Sequence, residues 1–276
     1  MNSVLEKKTF SPKTTIVYLS IIKRLTKLGF KYPNKKNEKV EYIKEFFAEH
    51  KLDKASTRLD LLNLIIVLRA IEELPTDKLK DYRGQLSKER VTKNVGKMNE
   101  IKDTLMDIGK YREALMKAFE DGEYKKFIVN YLMLTYGVRN MDVDVEIIKD
   151  PKEMTDDKQN YLILKGKKAT WVRNSYKTKK TFGVQTHVIT DPEFIKAVKG
   201  HGVGRIFAEG QLNNQLKKLL IEKMNEAKVF KMVVDEAYDA KDTKRINELS
   251  KSRGTSISTI KAFYNVNAED EIIRDM

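Results

Sequence analysis

The sequence predicts a mainly helical fold with a small antiparallel sheet in its second half. Apolar residues recur at three- and four-residue spacing along most of the chain, as on the buried face of a helix. Residues 159–190 instead alternate aromatic or β-branched residues with polar ones, which is typical of strands. The 276 residues are 41% hydrophobic and 34% charged, which suits a buried core under a charged surface. We place a helical domain at 1–100 and a mixed α/β domain at 105–276.

The first helix has boundary signals at both ends. Ser11 is positioned to cap it, Pro12 suits its first turn, and Gly29 ends it. Its apolar positions form one stripe, which we expect to face the core of the helical domain: Ile16, Leu19, Ile22 and Leu25.

Three further segments complete a predicted four-helix bundle. The second helix repeats the apolar spacing with Val40, Ile43 and Phe47. The third, ASTRLDLLNLIIVLRAIEEL, is the most apolar; Ser56 or Thr57 caps it and it stops before Pro75. A polar helix and a connector follow. A bundle of this kind does not by itself specify a function.

The second domain begins with helices, one face of which carries Phe127, Tyr131 and Leu134. Three strands of one sheet are predicted within 159–190, with turns at Gly166 and Gly183. Helical patterning returns after Pro192 and continues to the end of the chain.

The charge balance favours a polyanionic partner. Lysine and arginine outnumber aspartate and glutamate by 54 to 40, for a net charge of +14 and a pI near 9.5. Such an excess attracts nucleic acid, and double-stranded DNA is the first candidate. The many lysine, asparagine and isoleucine residues also fit an AT-rich genome, which weakens the charge as evidence for DNA. A mobile element or a large DNA virus would have such a genome.

Several classes of site are excluded by composition. The chain has no cysteine, so disulfides, thiolate metal sites and cysteine nucleophiles are absent. His50, His187 and His201 are too far apart for a typical zinc helix, and we expect neither metal nor cofactor. The longest apolar run, LLNLIIVL, is too short to span a membrane, and the first ten residues lack the centre of a signal peptide. We therefore expect a soluble intracellular protein without membrane contact.

Four segments carry side chains suited to phosphate chemistry. LTYGVRNMDV contains Arg139, NSYKTKKTFG contains Lys177, and EAKVFKMVV contains Lys228 and Lys231 one turn apart. SKSRGTSISTIKAFYNV ends its helical part at Tyr264. Each segment alone has an ordinary structural explanation, such as a solvated lysine or a core tyrosine.

Together the four segments resemble the tyrosine recombinase (phage integrase) family, over most of the chain. Arg139 follows a helix and a glycine and precedes Asp142 by three residues, as in the first box of that family. Lys177 stands in a Lys-Thr pair of a hairpin, and Tyr264 follows Gly254 by ten residues, as in the last box. The resemblance implies a helical core-binding bundle, a mixed α/β catalytic domain and a homotetramer assembled on double-stranded DNA.

The resemblance also implies roles for these residues. Tyr264 would attack a phosphodiester and form a 3′-phosphotyrosyl bond. Arg139 would bind the non-bridging oxygens, and Lys177 would protonate the 5′ leaving oxygen. Gly254 permits a turn, and hydroxyl side chains after it cap the helix that presents the tyrosine. The expected activity is site-specific recombination or integration.

Two positions depart from the family pattern. The middle box has Lys228 in its first position and Lys231 in place of arginine, or, in a register shifted by one residue, Phe230. A lysine keeps the charge but loses the bidentate fork of arginine. Thr255 replaces the histidine of the last box, and threonine does not titrate near neutral pH. In one interpretation, the nearby cations Arg245 and Arg253 compensate for the missing arginine of the middle box.

Other functions remain open at this stage. One is an architectural DNA-binding protein on the same fold with a degenerate site. A second is a type IB topoisomerase-like enzyme, which relaxes DNA without a tetramer. A helical RNA-binding protein is a weaker alternative. The acidic tail NVNAEDEIIRDM either docks on a neighbouring subunit, as in the family, or frays.

Overall fold

The computed structural model of the protein describes residues 1–102 and 104–265, with the side chains of 94–102 left out of that description. The chain divides into two compact units. The first comprises Met1–Asn94, and the second begins at Val95.

The first unit is helical. It contains α1 (Asn2–Leu5), α2 (Pro12–Lys27), a 3-10 turn (Lys35–Glu38), α3 (Val40–Glu49), α4 (Ala55–Ile71) and most of α5 (Asp77–Lys102). Helix α4 is the centre of its core, because Leu62, Leu64 and Ile65 are fully buried. Its neighbours α2 and α3 contribute Leu25 and Ile43, which are also fully buried.

The second unit combines helices with one sheet. Its helices are α6 (Ile108–Glu120), α7 (Tyr124–Tyr136), α8 (Lys179–Phe182), α9 (Pro192–His201), α10 (Leu212–Leu219), α11 (Glu226–Asp239), α12 (Thr243–Arg253) and α13 (Ile257–Phe263). Its strands are β1 (Val145–Ile148), β2 (Asn160–Lys165), β3 (Lys168–Arg173), β4 (Gln185–Ile189) and β5 (Gly204–Arg205). Short 3-10 turns cover Asn140–Val143 and Pro151–Glu153.

The sheet is mixed, with strand order β4-β3-β2-β1-β5. The three predicted strands are present as β2, β3 and β4 and pair antiparallel. The prediction of a purely antiparallel sheet is wrong, because β1 runs parallel to β2 and pairs Val145 with Asn160. Strand β5, which has only two residues, has no signal of its own in the sequence. The connection from β1 to β2, which includes a 3-10 turn, is long enough to allow parallel pairing.

The first long helix shows where periodicity misleads. Ser11 accepts a hydrogen bond from the Thr14 N–H, and Pro12 is the first helical residue, so the predicted start of α2 is confirmed. Ile22 and Leu25 are buried as predicted. The list of stripe residues is otherwise wrong: Ile16 and Leu19 are 69% and 45% exposed. The neighbouring helices cover only the C-terminal half of this stripe.

The predicted start of α4 is also wrong. The helix begins at Ala55 with Lys54 at the N-cap, and Lys54 makes no side-chain capping bond. Ser56 and Thr57 therefore lie inside the first turn. Burial of Ala55 in the core fixes this start, since packing outweighs the modest free energy of one capping bond.

Helix α7 is the central helix of the second unit. Phe127, Ile128 and Leu132 are fully buried, and Asn130 is equally buried. The Asn130 side chain accepts a hydrogen bond from Tyr111 Oη at 2.8 Å and donates to the Leu219 carbonyl at 2.7 Å. A buried amide with satisfied partners fixes the relative position of three helical segments. Helix α7 is thus a rigid base for the residues that follow it.

No helix in the described part of the chain is long and apolar enough to span a membrane.

Candidate functional site

Arg139 lies just after the end of α7. Gly137 ends the helix in the left-handed conformation, with φ of 61°. A Cβ on Gly137 would stand 2.8 Å from the Phe230 ring and 2.7 Å from Leu249, so only glycine allows α11 and α12 to approach so closely. The Arg139 N–H donates to Asp142 Oδ2 at 2.7 Å, which fixes the backbone beyond the glycine.

The Arg139 side chain turns toward the C-terminal end of α12. Its Nη1 donates to the carbonyl of Arg253. Burial lowers the pKa of Arg139, and the charge of Arg253 lowers it further. Electrostatic interactions with Asp142, Tyr264 and Glu226 oppose this effect on the pKa of Arg139. Arg139 is therefore within electrostatic range of Tyr264 although the two residues are 125 positions apart.

Arg253 is a buried cation, with only 3% of its surface exposed. Its Nη1 donates to the carbonyls of Gly137 and Val138 at 3.0 and 3.4 Å, and its Nη2 forms an ion pair with Glu226. The guanidinium carbon lies 3.9 Å from the centre of the Phe230 ring. These contacts lock one guanidinium between the end of α7 and the start of α11.

Tyr264 is the residue at the end of α13 and is partly buried. Its ring packs edge-on against Phe230 with centroids 4.7 Å apart, and the Arg253 guanidinium lies 5.1 Å from its centre. Ser256 caps the start of α13, since its Oγ accepts from the Thr259 N–H at 3.1 Å, as the sequence predicts. The structure thus brings Arg139, Arg253 and Tyr264 together.

Lys177 lies in the segment between β3 and α8 and is exposed. Its neighbour Thr178 contacts Gly254, the glycine of the last segment. A Cβ built on Gly254 would stand 1.9 Å from Thr178 Oγ1 and 2.9 Å from Thr178 Cβ. This contact places the turn that carries Lys177 beside the turn between α12 and α13.

A buried ion pair between Arg173 and Asp142 lies next to the cluster of Arg139, Arg253 and Tyr264. Arg173, the last residue of β3, is fully buried and lies 3.1 Å from Asp142. Arg173 Nη1 also donates to the Ser252 carbonyl at 2.8 Å, and so connects the sheet to the end of α12. Burial raises the pKa of the Asp142 carboxyl, while the charge of Arg173 opposes this rise. Arg173 therefore ties together the segments that present Arg139 and Arg253.

The two lysines of the predicted middle box are placed differently. Glu226 and Phe230 are four residues apart on α11 and share the face toward Arg253. Lys228 lies between them in sequence and so points elsewhere; its Nζ donates to the Thr104 carbonyl at 3.2 Å. Lys231 is about 100° around the helix from Phe230, and burial lowers its pKa. Phe230, the occupant in the shifted register, is the residue that contacts Tyr264.

Thr255 lies in the turn between α12 and α13. Its N–H donates to the Ser250 carbonyl at 3.0 Å, and its own carbonyl accepts from Ser250 Oγ at 2.6 Å. Its main chain is therefore fixed one residue after the contact between Gly254 and Thr178. A partly exposed hydroxyl in this turn is suited to donate one hydrogen bond to an anion.

Arg245 is part of a different feature. It lies eight residues before Arg253, about 12 Å along α12. With His187 and Tyr136 it borders a groove of about 430 Å³ between α7, β4 and α12. Its Nη2 donates to the Leu134 carbonyl at 3.2 Å. Arg245 is thus held away from the tyrosine, whereas Arg253 lies beside it.

Sequence reasoning missed Glu226 and Arg173, although signals for both exist. Arg173 is two residues after Trp171 in β3. Because side chains alternate between the two faces of a strand, Arg173 lies on the same buried face as Trp171. An arginine on a buried strand face indicates a paired charge. Glu226 is four residues before Phe230, which places it on the same helical face as the occupant of the shifted register.

The acidic tail and metal binding were also considered in the sequence. The acidic tail, apart from Asn265, lies outside the described residues. Within residues 1–102 and 104–265, no group of three or more His, Asp or Glu side chains is arranged to hold a metal ion.

Comparison of the chain with protein-family models, with curated proteins and with solved structures found no match. The geometry of the site is therefore the basis for a proposal about function.

Proposed function

We propose that the protein is a DNA strand transferase that cuts and rejoins DNA through a covalent bond to Tyr264. One observation carries this proposal: a partly buried tyrosine lies beside two arginines that come from distant segments. Burial lowers the pKa of Arg139, and repulsion between its guanidinium and that of Arg253 lowers it further. A binding site for a phosphate would give this costly arrangement a purpose.

The chemistry follows from the groups present. Tyr264 Oη would attack phosphorus while the bond to the 5′ oxygen breaks, and the phenol would lose its proton to solvent. The Lys177 ammonium, on an exposed turn, would transfer a proton to the departing 5′ oxygen. Attack of a 5′-hydroxyl on the phosphotyrosine would reverse these bond changes. A hydroxyl from a second duplex would complete strand exchange.

The arginines would stabilise the charge that develops on the non-bridging oxygens. Arg139 is half-buried and keeps nitrogen atoms other than Nη1 for a phosphate. A guanidinium in a site that partly excludes water stabilises an oxyanion more strongly than one in bulk solvent. Thr255 would add one hydroxyl donor from the neighbouring turn.

The charge of the whole chain supports a DNA substrate. With a net charge of +14, lysine and arginine contacts to phosphates would supply most of the affinity. Binding should therefore weaken by at least tenfold, roughly, between low and moderate salt. A flat binding curve over this range contradicts a DNA partner.

A covalent-trapping experiment tests the activity. The protein is incubated with a labelled pool of nicked duplexes of randomised sequence, in which the fragment 3′ of the scissile phosphate diffuses away after cleavage. A band that survives denaturing electrophoresis and disappears in Tyr264→Phe supports the proposal. Tyr131→Phe is the matched control, because it also removes one partly buried phenol of the same unit. Persistence of the band in Tyr264→Phe rules out the assigned nucleophile.

A second assay separates related activities. Relaxation of supercoiled plasmid without joined products would favour a topoisomerase that acts as a monomer. Joined products that depend on protein concentration would favour a recombinase that assembles as a homotetramer on DNA.

A non-catalytic DNA-binding protein is the second candidate. The observation that favours it is the position of Lys228, whose ammonium binds a backbone carbonyl rather than facing Tyr264. Thr255 does not titrate near neutral pH either. Neither the position of Lys228 nor that of Thr255 therefore supplies a titratable group beside Tyr264. Tight, salt-dependent DNA binding with no covalent band from the randomised pool would support this candidate.

A further inference from the structure

We infer that Glu226 occupies the position of the DNA phosphate in the unbound protein and must leave Arg253 before the site can bind its substrate. This inference rests on the proposed function, because it concerns the same site. It assigns to Glu226 a positioning role: its carboxylate holds the Arg253 guanidinium in place and competes with the incoming phosphate.

The first argument is the accessibility of Arg253. Its Nη1 is committed to the carbonyls of Gly137 and Val138, and the ring of Phe230 lies against the guanidinium. Its Nη2 is paired with Glu226. Only 3% of the Arg253 side chain is exposed, against 19% of the Glu226 side chain. Arg253 Nε is buried with no hydrogen-bond partner among the described residues. The partly exposed approach to Arg253 is therefore through Nη2, where the Glu226 carboxylate lies.

The Glu226 carboxylate is chemically similar to a phosphate. A carboxylate and a phosphate both accept hydrogen bonds from one guanidinium through two oxygens. Arg139 also interacts favourably with Glu226, which raises the pKa of Arg139 against the effect of burial. One carboxylate thus lies within range of both arginines that the proposed chemistry assigns to a phosphate.

The negative charge of Glu226 would also oppose the entry of a phosphate. Asp142 attracts Arg139 but is already paired with Arg173, so Glu226 is the carboxylate that pairs with Arg253 and also attracts Arg139. A phosphodiester that enters while Glu226 stays would face a like charge a few ångströms away. For effective dielectric constants from about 80 to about 20, this repulsion at about 4 Å weakens binding by about fivefold to about 10³-fold. Release of Glu226 removes the penalty and frees the Arg253 Nη2 donor for the phosphate.

The test measures binding separately from chemistry. Glu226→Gln removes the charge but retains the length and the hydrogen-bonding capacity of the side chain. Glu222→Gln is the matched control, since Glu222 is exposed and four residues earlier, and it changes the net charge equally. Both substitutions are combined with Tyr264→Phe, and Kd is measured for a 30-base-pair duplex and for inorganic sulfate.

We expect Glu226→Gln to bind the duplex and sulfate about tenfold more tightly than Glu222→Gln does. Equal or weaker binding by Glu226→Gln overturns the inference and assigns Glu226 a purely structural role. Thermal melting shows whether each variant is folded. If Glu226→Gln does not fold, Glu226→Asp replaces it, because a shorter carboxylate reaches Arg253 less well. Tighter sulfate binding by Glu226→Asp supports the inference, and unchanged binding overturns it.

The failure of the inference and the failure of the proposed function give different results. If the chain with native Tyr264 forms the covalent band but Glu226→Gln binds no tighter, the inference is wrong and the strand transferase remains. If Glu226→Gln binds more tightly but no covalent band forms with the chain that has native Tyr264, the anion site is real and the catalytic proposal is wrong.

Discussion

Gly254 lies so close to Thr178 that a Cβ on the glycine would stand 1.9 Å from Thr178 Oγ1. Gly254 is also the left-handed residue that ends α12, with φ of 60°. Gly254 therefore turns the chain toward α13 and also contacts the segment that carries Lys177. The ten residues between Gly254 and Tyr264 then set where the phenol stands relative to the Lys177 ammonium.

Gly254→Ala is expected to separate these two segments. The methyl group would force the Thr178 backbone to move, because Thr178 Cβ would also be only 2.9 Å away. We expect a loss of about 1–3 kcal/mol of unfolding free energy and a fall of about 10²-fold in the rate of covalent-band formation. Denaturant unfolding and the trapping assay measure the two effects.

Gly166→Ala is the matched control for this substitution. Gly166 lies in the turn between β2 and β3 with φ of 64°, and a Cβ there would have nothing within 4 Å. It carries the same backbone strain without the collision, so we expect a loss of about 1 kcal/mol and an unchanged trapping rate. Equal effects of the two substitutions on the rate would show that the contact with Thr178 does not position Lys177.

The sequence predicts helices better than it predicts which side of them is covered. Periodicity identifies α2, and its capping residues locate its start, because both signals are local. The same periodicity assigns Ile16 and Leu19 to the core, where the structure has them exposed. Coverage depends on where other helices pack. Strand β1 was missed for a similar reason: the short segment VEII becomes a strand only where β2 pairs with it.

The candidate site shows the same limit. Arg139, Lys177 and Tyr264 are found by spacing to nearby glycines or threonines, which is a local pattern. Arg253 appears in the sequence only as a cation near the last segment. Its place beside Tyr264 depends on the end of α7, more than 110 residues earlier, because Gly137 and Val138 accept its hydrogen bonds. A linear pattern does not contain that long-range contact.

Removing the Arg253 guanidinium is expected to destabilise the second unit. Arg253→Met would leave Glu226 partly buried without its cation and two carbonyls without a donor. Breaking a buried ion pair from one side costs about 3–5 kcal/mol. The double variant Arg253→Met, Glu226→Leu removes the unpaired carboxylate as well, and should recover at least about 1 kcal/mol in urea unfolding. A double variant no more stable than Arg253→Met would show that this ion pair contributes little.

Arg173 and Asp142 should respond unequally to substitution. Arg173→Met leaves the Asp142 carboxylate fully buried and unpaired, which costs about 3–5 kcal/mol. Asp142→Asn should cost less, since Arg173 keeps its hydrogen bond to the Ser252 carbonyl. Urea unfolding at pH 7 measures both.

The stability of the Arg173→Met variant should also depend on pH. Burial already raises the pKa of Asp142, and loss of the arginine raises it further. A carboxyl whose pKa is higher in the folded than in the unfolded state binds its proton more tightly when folded. The variant should therefore recover stability, relative to the unsubstituted protein, as the pH falls through the folded pKa. No recovery below pH 7 would mean that the carboxyl reaches solvent.

His187 should make the unsubstituted protein less stable in mild acid. Its ring packs at a tilt against Tyr136 and Trp171, with centroids 4.7 and 5.5 Å apart. Its Nε2 is buried with no hydrogen-bond partner among the described residues. Burial lowers the pKa of His187 to about 4, and the charge of Arg173 contributes. In the unfolded chain a histidine has a pKa of about 6.5.

The sign of the effect follows from these two pKa values. Between pH 6.5 and 4 the unfolded chain takes up a proton that folded His187 does not. The stability associated with neutral His187 is therefore complete above pH 6.5 and is lost as the pH falls toward 4, by about 2 kcal/mol after allowance for partial exposure. His187→Phe keeps a ring against Tyr136 and has no proton to bind. We expect urea unfolding between pH 7 and pH 5 to show a steeper loss of stability in the unsubstituted protein than in His187→Phe. Parallel curves would mean that His187 is protonated equally in the folded and unfolded states.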